Sequence, residues 1–303
     1  MKIIYAILFF TVLHMAAGYI EGEPVFPTEE TDNKVKAAPL VILYPIGEKC
    51  EFRTVNYMEQ VLNTYVKCIE VGTDNTWLID EVYDVRVQGE KIWSDIKLDE
   101  NLKQGNFSIM SLSLGGMMAR YLIQYCDYDL PVRNIVTIGA PLNGISGITN
   151  FGRDSWIGYV LDSLLDVLVW FKFFDRFFPA ADYWKNSNNY DKYVSTSRFL
   201  AEANNELEFD PEMKDAWTTI NRALFIKFTD DDVILPNESA WWGEYDEDAT
   251  ELDRHDSYVY QEDLVGIRTL EEAHKAQFVE WPGQHMKFNF TQVNDWVIPV
   301  LRS

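Results

Sequence analysis

Six short apolar runs, spaced along the chain and separated by longer stretches, constrain the fold more than any other feature. They are the apolar stretch opening "PLVILYPIGEKC" (39–50), then "TYVKCIEV" (64–71), "FSIMSLS" (107–113), "NIVTIGAP" (134–141), "ALFIKF" (223–228) and "AQFVEW" (276–281). A short uninterrupted apolar run bounded by Pro, Gly or polar residues reads as a strand buried on both faces. The intervening stretches carry helical spacing, such as Met118, Tyr121, Leu122 and Tyr125. Strands alternating with helices predict an α/β fold, a mostly parallel sheet with helices on both faces. Ligands in such sheets sit beyond the carboxyl ends of the strands.

The interval 142–222 breaks the alternation and reads as a helical insertion into one domain spanning 19–303. Its centre, Trp156–Trp184, is rich in Trp, Phe and Leu, with Asp162 and Asp166 on one helix face. No 18-residue window is free of charge, so no membrane span is expected. The segment is either additional core or a cap lining an acyl-chain groove. A nucleophile upstream favours the cap.

Residues 1–18 have the layout of a secretory signal peptide: Lys2, an apolar run from Ile3 to Leu13, then Ala16, Ala17 and Gly18. Removing it takes away Lys2 and moves the formal net charge from −22 to −23. Such an acidic surface disfavours nucleic acid and anionic membranes as partners. The expected location is the secretory pathway, lysosomal or secreted. There at most one disulfide forms among Cys50, Cys68 and Cys126, and their spacing fits no zinc motif. Three glycosylation sequons begin at Asn106, Asn237 and Asn289.

A serine hydroxyl needs a base to become a useful nucleophile. In the strand-to-helix elbow of serine hydrolases, residues two before and two after the nucleophile must be small. In "FSIMSLSLGGMMARYL" only Ser113 passes, flanked by Ser111 and Gly115. Ser111 fails on Ile109, and Ser108 on Met110. The bland alternative is a serine that only caps the following helix. Of four histidines, His14 leaves with the signal peptide, and His255 and His274 lie in charged stretches. His285 follows the last strand after a Pro-Gly turn, where such hydrolases place their base. The acid belongs after the preceding strand, where Asp230, Asp231 and Asp232 stand together; spacing does not choose among them. The backbone N–H groups of Leu114 and Ile46 occupy the oxyanion positions. No H-E-x-x-H and no phosphate-cradling glycine loop is present, so neither a metal nor a nucleotide cofactor is expected.

Most of the chain then resembles the palmitoyl-protein thioesterases of lysosomal type. "PLVILYPIGEKC" and "MSLSLGGMMARYLIQYC" are similar to that family's first loop and nucleophile elbow. "ADYW", "FLAEANNE", "KFTDDDVILP", the stretch from "SAWWGEYDED" onward and "PGQH" are more diagnostic. The resemblance implies an α/β-hydrolase with Ser113, Asp231 and His285 as triad, thus selecting Asp231. It also implies an acyl groove in the Trp156–Trp184 region. The expected reaction is hydrolysis of long-chain acyl thioesters on S-acylated proteins or peptides, through an acyl-enzyme, by a monomer. An oxygen-ester lipase and a catalytically silent acyl-binding protein are the alternatives. The chain departs from the family pattern at Ser111 (usually Gly), Leu114 (usually Gln) and Tyr44-Pro45 (usually His-Gly). Cys126 matches a normally paired cysteine whose expected partner position lies near Trp93.

Overall fold

All six apolar runs form strands of one sheet, and every pairing in it is parallel. The computed structural model describes residues 20–26, 36–45, 48–70, 84–126, 131–146 and 182–303. The signal peptide, Ile46 and the insertion from 147 to 181, including Asp162 and Asp166, lie outside the described residues.

The strands are β1 (Leu40–Leu43), β2 (Val66–Ile69), β3 (Phe107–Leu112), β4 (Val132–Ile138), β5 (Arg222–Phe228) and, after a two-stranded hairpin of β6 (Glu244–Tyr245) and β7 (Glu251–Leu252), β8 (Ala276–Trp281). Their order across the sheet is β2-β1-β3-β4-β5-β8. The order reverses direction at β1, so crossovers run on both sides of the sheet and both faces must be covered. The side chains show this residue by residue. Val41, Leu43, Ile109, Ile135 and Phe225 enter one core. Leu40, Ile42, Met110, Val136 and Leu224 enter the other. The period of two along each strand divides one apolar run between two cores.

Helix α1 (Phe52–Leu62) packs on the second core through Tyr57, Met58, Val61 and Leu62, beside the C-terminal helical run Phe290–Leu301. Helices α2 (Val85–Leu98) and α3 (Gly115–Tyr125) cover the first core. Asp84 caps α2 by accepting the N–H groups of Arg86 and Val87. Cys50 and Cys68 form a disulfide that ties the loop after β1 to β2, while Cys126 is buried and free of any disulfide.

The described part of the insertion is anchored by buried charge rather than by apolar contact alone. Lys185 Nζ lies 2.8 Å from Glu206 Oε1, 2.6 Å from Glu244 Oε2 and 3.0 Å from Asn143 Oδ1. Asn204 donates to Asn143 and Glu206, and it accepts from Arg120 of α3. The network therefore joins α3, the loop after β4, the insertion and the hairpin of β6 and β7. Burial alone would pull the Lys185 ammonium down, but Glu206 and Glu244 outweigh it and hold its pKa above the ordinary lysine value. Burial pushes Glu244 up and Lys185 outweighs that, leaving Glu244 below its ordinary value. A raised lysine stabilises the fold below its unfolded pKa and loses this as pH rises through the folded value. A lowered carboxylate stabilises above its unfolded pKa and loses this as pH falls through the folded value. The pair therefore stabilises most between the unfolded values of 4.5 and 10.5. Lys185→Met is expected to lower stability by about 3–5 kcal/mol, because two buried carboxylates lose their cation. Urea melts at neutral pH would measure it; a loss under about 1 kcal/mol would mean the network contributes no more than an exposed pair.

Candidate active site

The carboxyl ends of β3, β5 and β8 bring three side chains together. Ser113 follows β3 directly, Asp231 lies three residues beyond β5, and His285 four beyond β8. His285 Nε2 lies 2.9 Å from Ser113 Oγ, and His285 Nδ1 lies 2.7 Å from Asp231 Oδ2. All three residues are buried. An ionised carboxylate only accepts, so Nδ1 carries its proton toward Asp231. Nε2 is left as the acceptor for the serine hydroxyl.

Local backbone geometry sets the serine. Ser113 has φ +49°, a left-handed conformation that lifts its side chain out of the strand direction. Its N–H donates to Ile138 O of β4 at 2.8 Å, and Gly116 N–H returns to Ser113 O at 3.0 Å. A Cβ on Gly115 would stand 2.3 Å from Leu43 O of β1, and one on Gly116 would stand 2.3 Å from the Ala140 Cβ. Gly115 is thus required by a backbone carbonyl that cannot move aside without breaking up β1. Gly115→Ala is expected to cost roughly 3 kcal/mol through overpacking and to displace the elbow. Chemical denaturation together with turnover would show both losses; unchanged stability would contradict the close approach.

Ser111 takes the position two before the nucleophile without crowding it. It is fully buried, and its Oγ lies 3.5 Å from Val136 O of β4. The side chain fills space beneath Gly116, where a Cβ would stand 3.6 Å from that oxygen. Its oxygen turns toward Val136 O and the small Gly116, so the departure from Gly at this position is sterically absorbed.

The three aspartates separate by environment. Asp230 and Asp232 are exposed and Asp231 is buried. Asp231 Oδ1 accepts the N–H groups of Val233 and Ile234, both at 2.9 Å, which leaves Oδ2 to the imidazole. His255 is exposed beside Asp253 and His274 is exposed. Leu114 opens the first turn of α3, where N–H groups have no intrahelical acceptor and the helix dipole favours negative charge. Ile46 lies outside the described residues.

Several supporting residues carry no local sequence signal. Thr229 N–H donates to Trp281 O, Asp230 N–H donates to Gly283 O and Gly283 N–H donates to Thr229 Oγ1, each at 3.0 Å. These bonds extend the β5–β8 pairing into the loops that bear Asp231 and His285. Gly283, at φ +115°, makes the turn that brings His285 back over the sheet. Phe228 meets the imidazole edge-on with ring centroids 6.0 Å apart. Gly139, at φ +58°, leaves room for it, since a Cβ there would stand 3.2 Å from His285 Cε1. The Gly in "TIGAP" and the Gly in "PGQH" are the only sequence hints of these constraints.

This arrangement suits acyl transfer: a hydroxyl, a base that can take its proton, a carboxylate that orients the base, and helix N–H groups beside them. The comparisons point the same way. The family model described as palmitoyl protein thioesterase matches residues 39–285. The chain is 27% identical to palmitoyl-protein thioesterase 1 of Caenorhabditis elegans, over 86% of this chain and 90% of that protein. It is 30% identical to palmitoyl-protein thioesterase 3 of Dictyostelium discoideum, over 73% and 74% of the two chains. To lysosomal thioesterase PPT2-B of Xenopus laevis it is 28% identical, over 67% and 68%.

Proposed function

Because the chain belongs to the palmitoyl protein thioesterase family, we propose that it hydrolyses long-chain fatty-acyl thioesters on S-acylated proteins or peptides through an acyl-enzyme on Ser113. The observation that carries this reading is the continuous hydrogen-bonded relay Ser113–His285–Asp231. His285 Nε2 takes the hydroxyl proton as Ser113 Oγ attacks the thioester carbonyl. Asp231 holds the imidazole in the reactive tautomer and stabilises the imidazolium that forms. The N–H of Leu114 would receive the developing oxyanion, with Ile46, from the sequence stretch after β1, as the second donor. The thiol leaves with the proton from His285. A water, activated by the same nitrogen, then releases the fatty acid and restores Ser113. No cofactor enters either half-reaction.

The acyl chain would lie in a groove built by the insertion, within the single domain 19–303. We place the protein in the lysosome or the secreted fraction. The signal-peptide layout, the Cys50–Cys68 disulfide and a relative named as a lysosomal thioesterase support that. Purified protein should be assayed on acyl thioesters of graded chain length beside matched oxygen esters. Faster turnover of long-chain thioesters supports the proposal; preference for oxygen esters replaces it with a lipase reading. A serine-directed fluorophosphonate should label Ser113, and His285→Ala should abolish labelling.

A further inference from the structure

The three sequons are not equivalent in the folded chain, and we propose that Asn106 and Asn289 carry N-linked glycan in the active protein while Asn237 does not. This rests on the luminal location given above. Attachment forms a bond from the amide Nδ2 to the anomeric carbon of a lipid-diphosphate-linked oligosaccharide. The sugar–phosphate C–O bond breaks, the lipid diphosphate leaves and the amide loses one proton. A modified asparagine therefore keeps Oδ1 as an acceptor but has one amide hydrogen fewer and a bulky substituent on nitrogen.

Asn106 is exposed in the turn that leads into β3, at the end of that strand opposite Ser113. Its backbone N–H bonds to Pro131 O, and among the described residues no partner meets its side chain. A glycan there displaces nothing. Asn289 is also exposed, and it caps the C-terminal helical run with Oδ1, which accepts Gln292 N–H at 3.1 Å. Gln292 Oε1 in turn accepts the Asn289 N–H. The cap uses only the oxygen and the main chain, so Nδ2 is available without loss of the capping box.

Asn237 differs in what its amide nitrogen does. It is half-buried, and its Nδ2 donates to Phe228 O at 3.1 Å and to Thr229 O at 3.5 Å. These carbonyls end β5 and begin the loop that carries Asp231, so the amide closes that loop on itself. Its sequon partner Ser239 is buried, as Ser108 is, but it is also tied in place, donating to Gly144 O and accepting Asn143 N–H. A sugar on Asn237 Nδ2 would take the place of a hydrogen that the loop uses and would crowd the Phe228 and Thr229 carbonyls at the end of β5. A chain modified there cannot close the acid loop and drops out of the active population.

The test is site mapping on the unaltered full chain, expressed in animal cells and captured from the active fraction with a fluorophosphonate. Peptide-N-glycosidase treatment in heavy-oxygen water marks each formerly glycosylated asparagine as a labelled aspartate, read by peptide mass spectrometry. The expected result is label at Asn106 and Asn289 in most molecules and none at Asn237. Label at Asn237 in active protein overturns the proposal, as does an unmodified Asn106 or Asn289. Non-reducing peptide mapping of Cys50–Cys68 separates the two ways to fail. Bare asparagines with the disulfide formed refute the site assignment alone; bare asparagines with reduced cysteines refute the luminal location with it.

Discussion

Ser113→Ala is expected to lower turnover of a palmitoyl thioester by roughly 10⁴–10⁶-fold with little change in stability. The large effect follows from what the residue supplies. Without Oγ there is no acyl-enzyme, and His285 Nε2 faces a methyl group instead of the hydroxyl 2.9 Å away. Direct attack by water, helped only by binding and the oxyanion donors, leaves a residual rate. The small stability effect follows from geometry. Ala occupies less volume than Ser at a position already held at φ +49° by the Ser113–Ile138 and Gly116–Ser113 hydrogen bonds. Both use backbone atoms and survive the change. Single-turnover kinetics and a thermal melt on the same preparation would decide. A variant that keeps a tenth or more of wild-type activity removes Ser113 from the mechanism. A variant that is inactive but unfolded says nothing against Ser113→Cys, which keeps a nucleophile in place and should retain acylation.

Asp231→Asn is expected to reduce kcat by about 10³–10⁴-fold, while Asp230→Asn and Asp232→Asn leave it within about twofold. An asparagine amide at 231 presents a donor as well as an acceptor to His285 Nδ1. When its nitrogen faces the ring, the imidazole proton moves to Nε2, and the lone pair that must receive the serine proton is lost. Oδ1 still accepts from Val233 and Ile234, so the loop keeps its shape and the defect is one of tautomer and charge. Asp230 and Asp232 point into solvent, where an exposed carboxylate has little influence on the imidazole. The three variants, assayed side by side on one thioester, give a direct contrast. Equal losses in all three would mean that loop charge matters rather than the specific Asp231–His285 bond.

Much of the architecture was legible because periodicity reports burial. "LVIL" and "ALFIKF" read as strands since every apolar side chain in them meets one core or the other. Steric reasoning on "SLSLGG" reached further. The demand for small residues at Ser111 and Gly115 reflects a local collision, and Leu43 O is the atom that enforces it at Gly115. Other features left no such trace. The pairing of Cys50 with Cys68 depends on β1 and β2 lying side by side, which spacing along the chain does not encode. Lys185, Glu206 and Glu244 look like ordinary solvated charges in the sequence. Only the folded chain places them in one buried cluster.

The sequence by itself determined the alternation of strands and helices, and that Ser113 alone satisfies the elbow's steric test. Both are local properties, decided by residues within a few positions of one another. The tertiary structure decided which carboxylate meets the imidazole. Asp231 and His285 are 54 residues apart, on loops from neighbouring strands. Their contact depends on the register of β5 against β8 and on the Thr229–Gly283 bonds that continue it. Spacing leaves the three aspartates equal and only the resemblance singles out Asp231; the physical distinction, burial with two backbone donors, exists once the chain has folded.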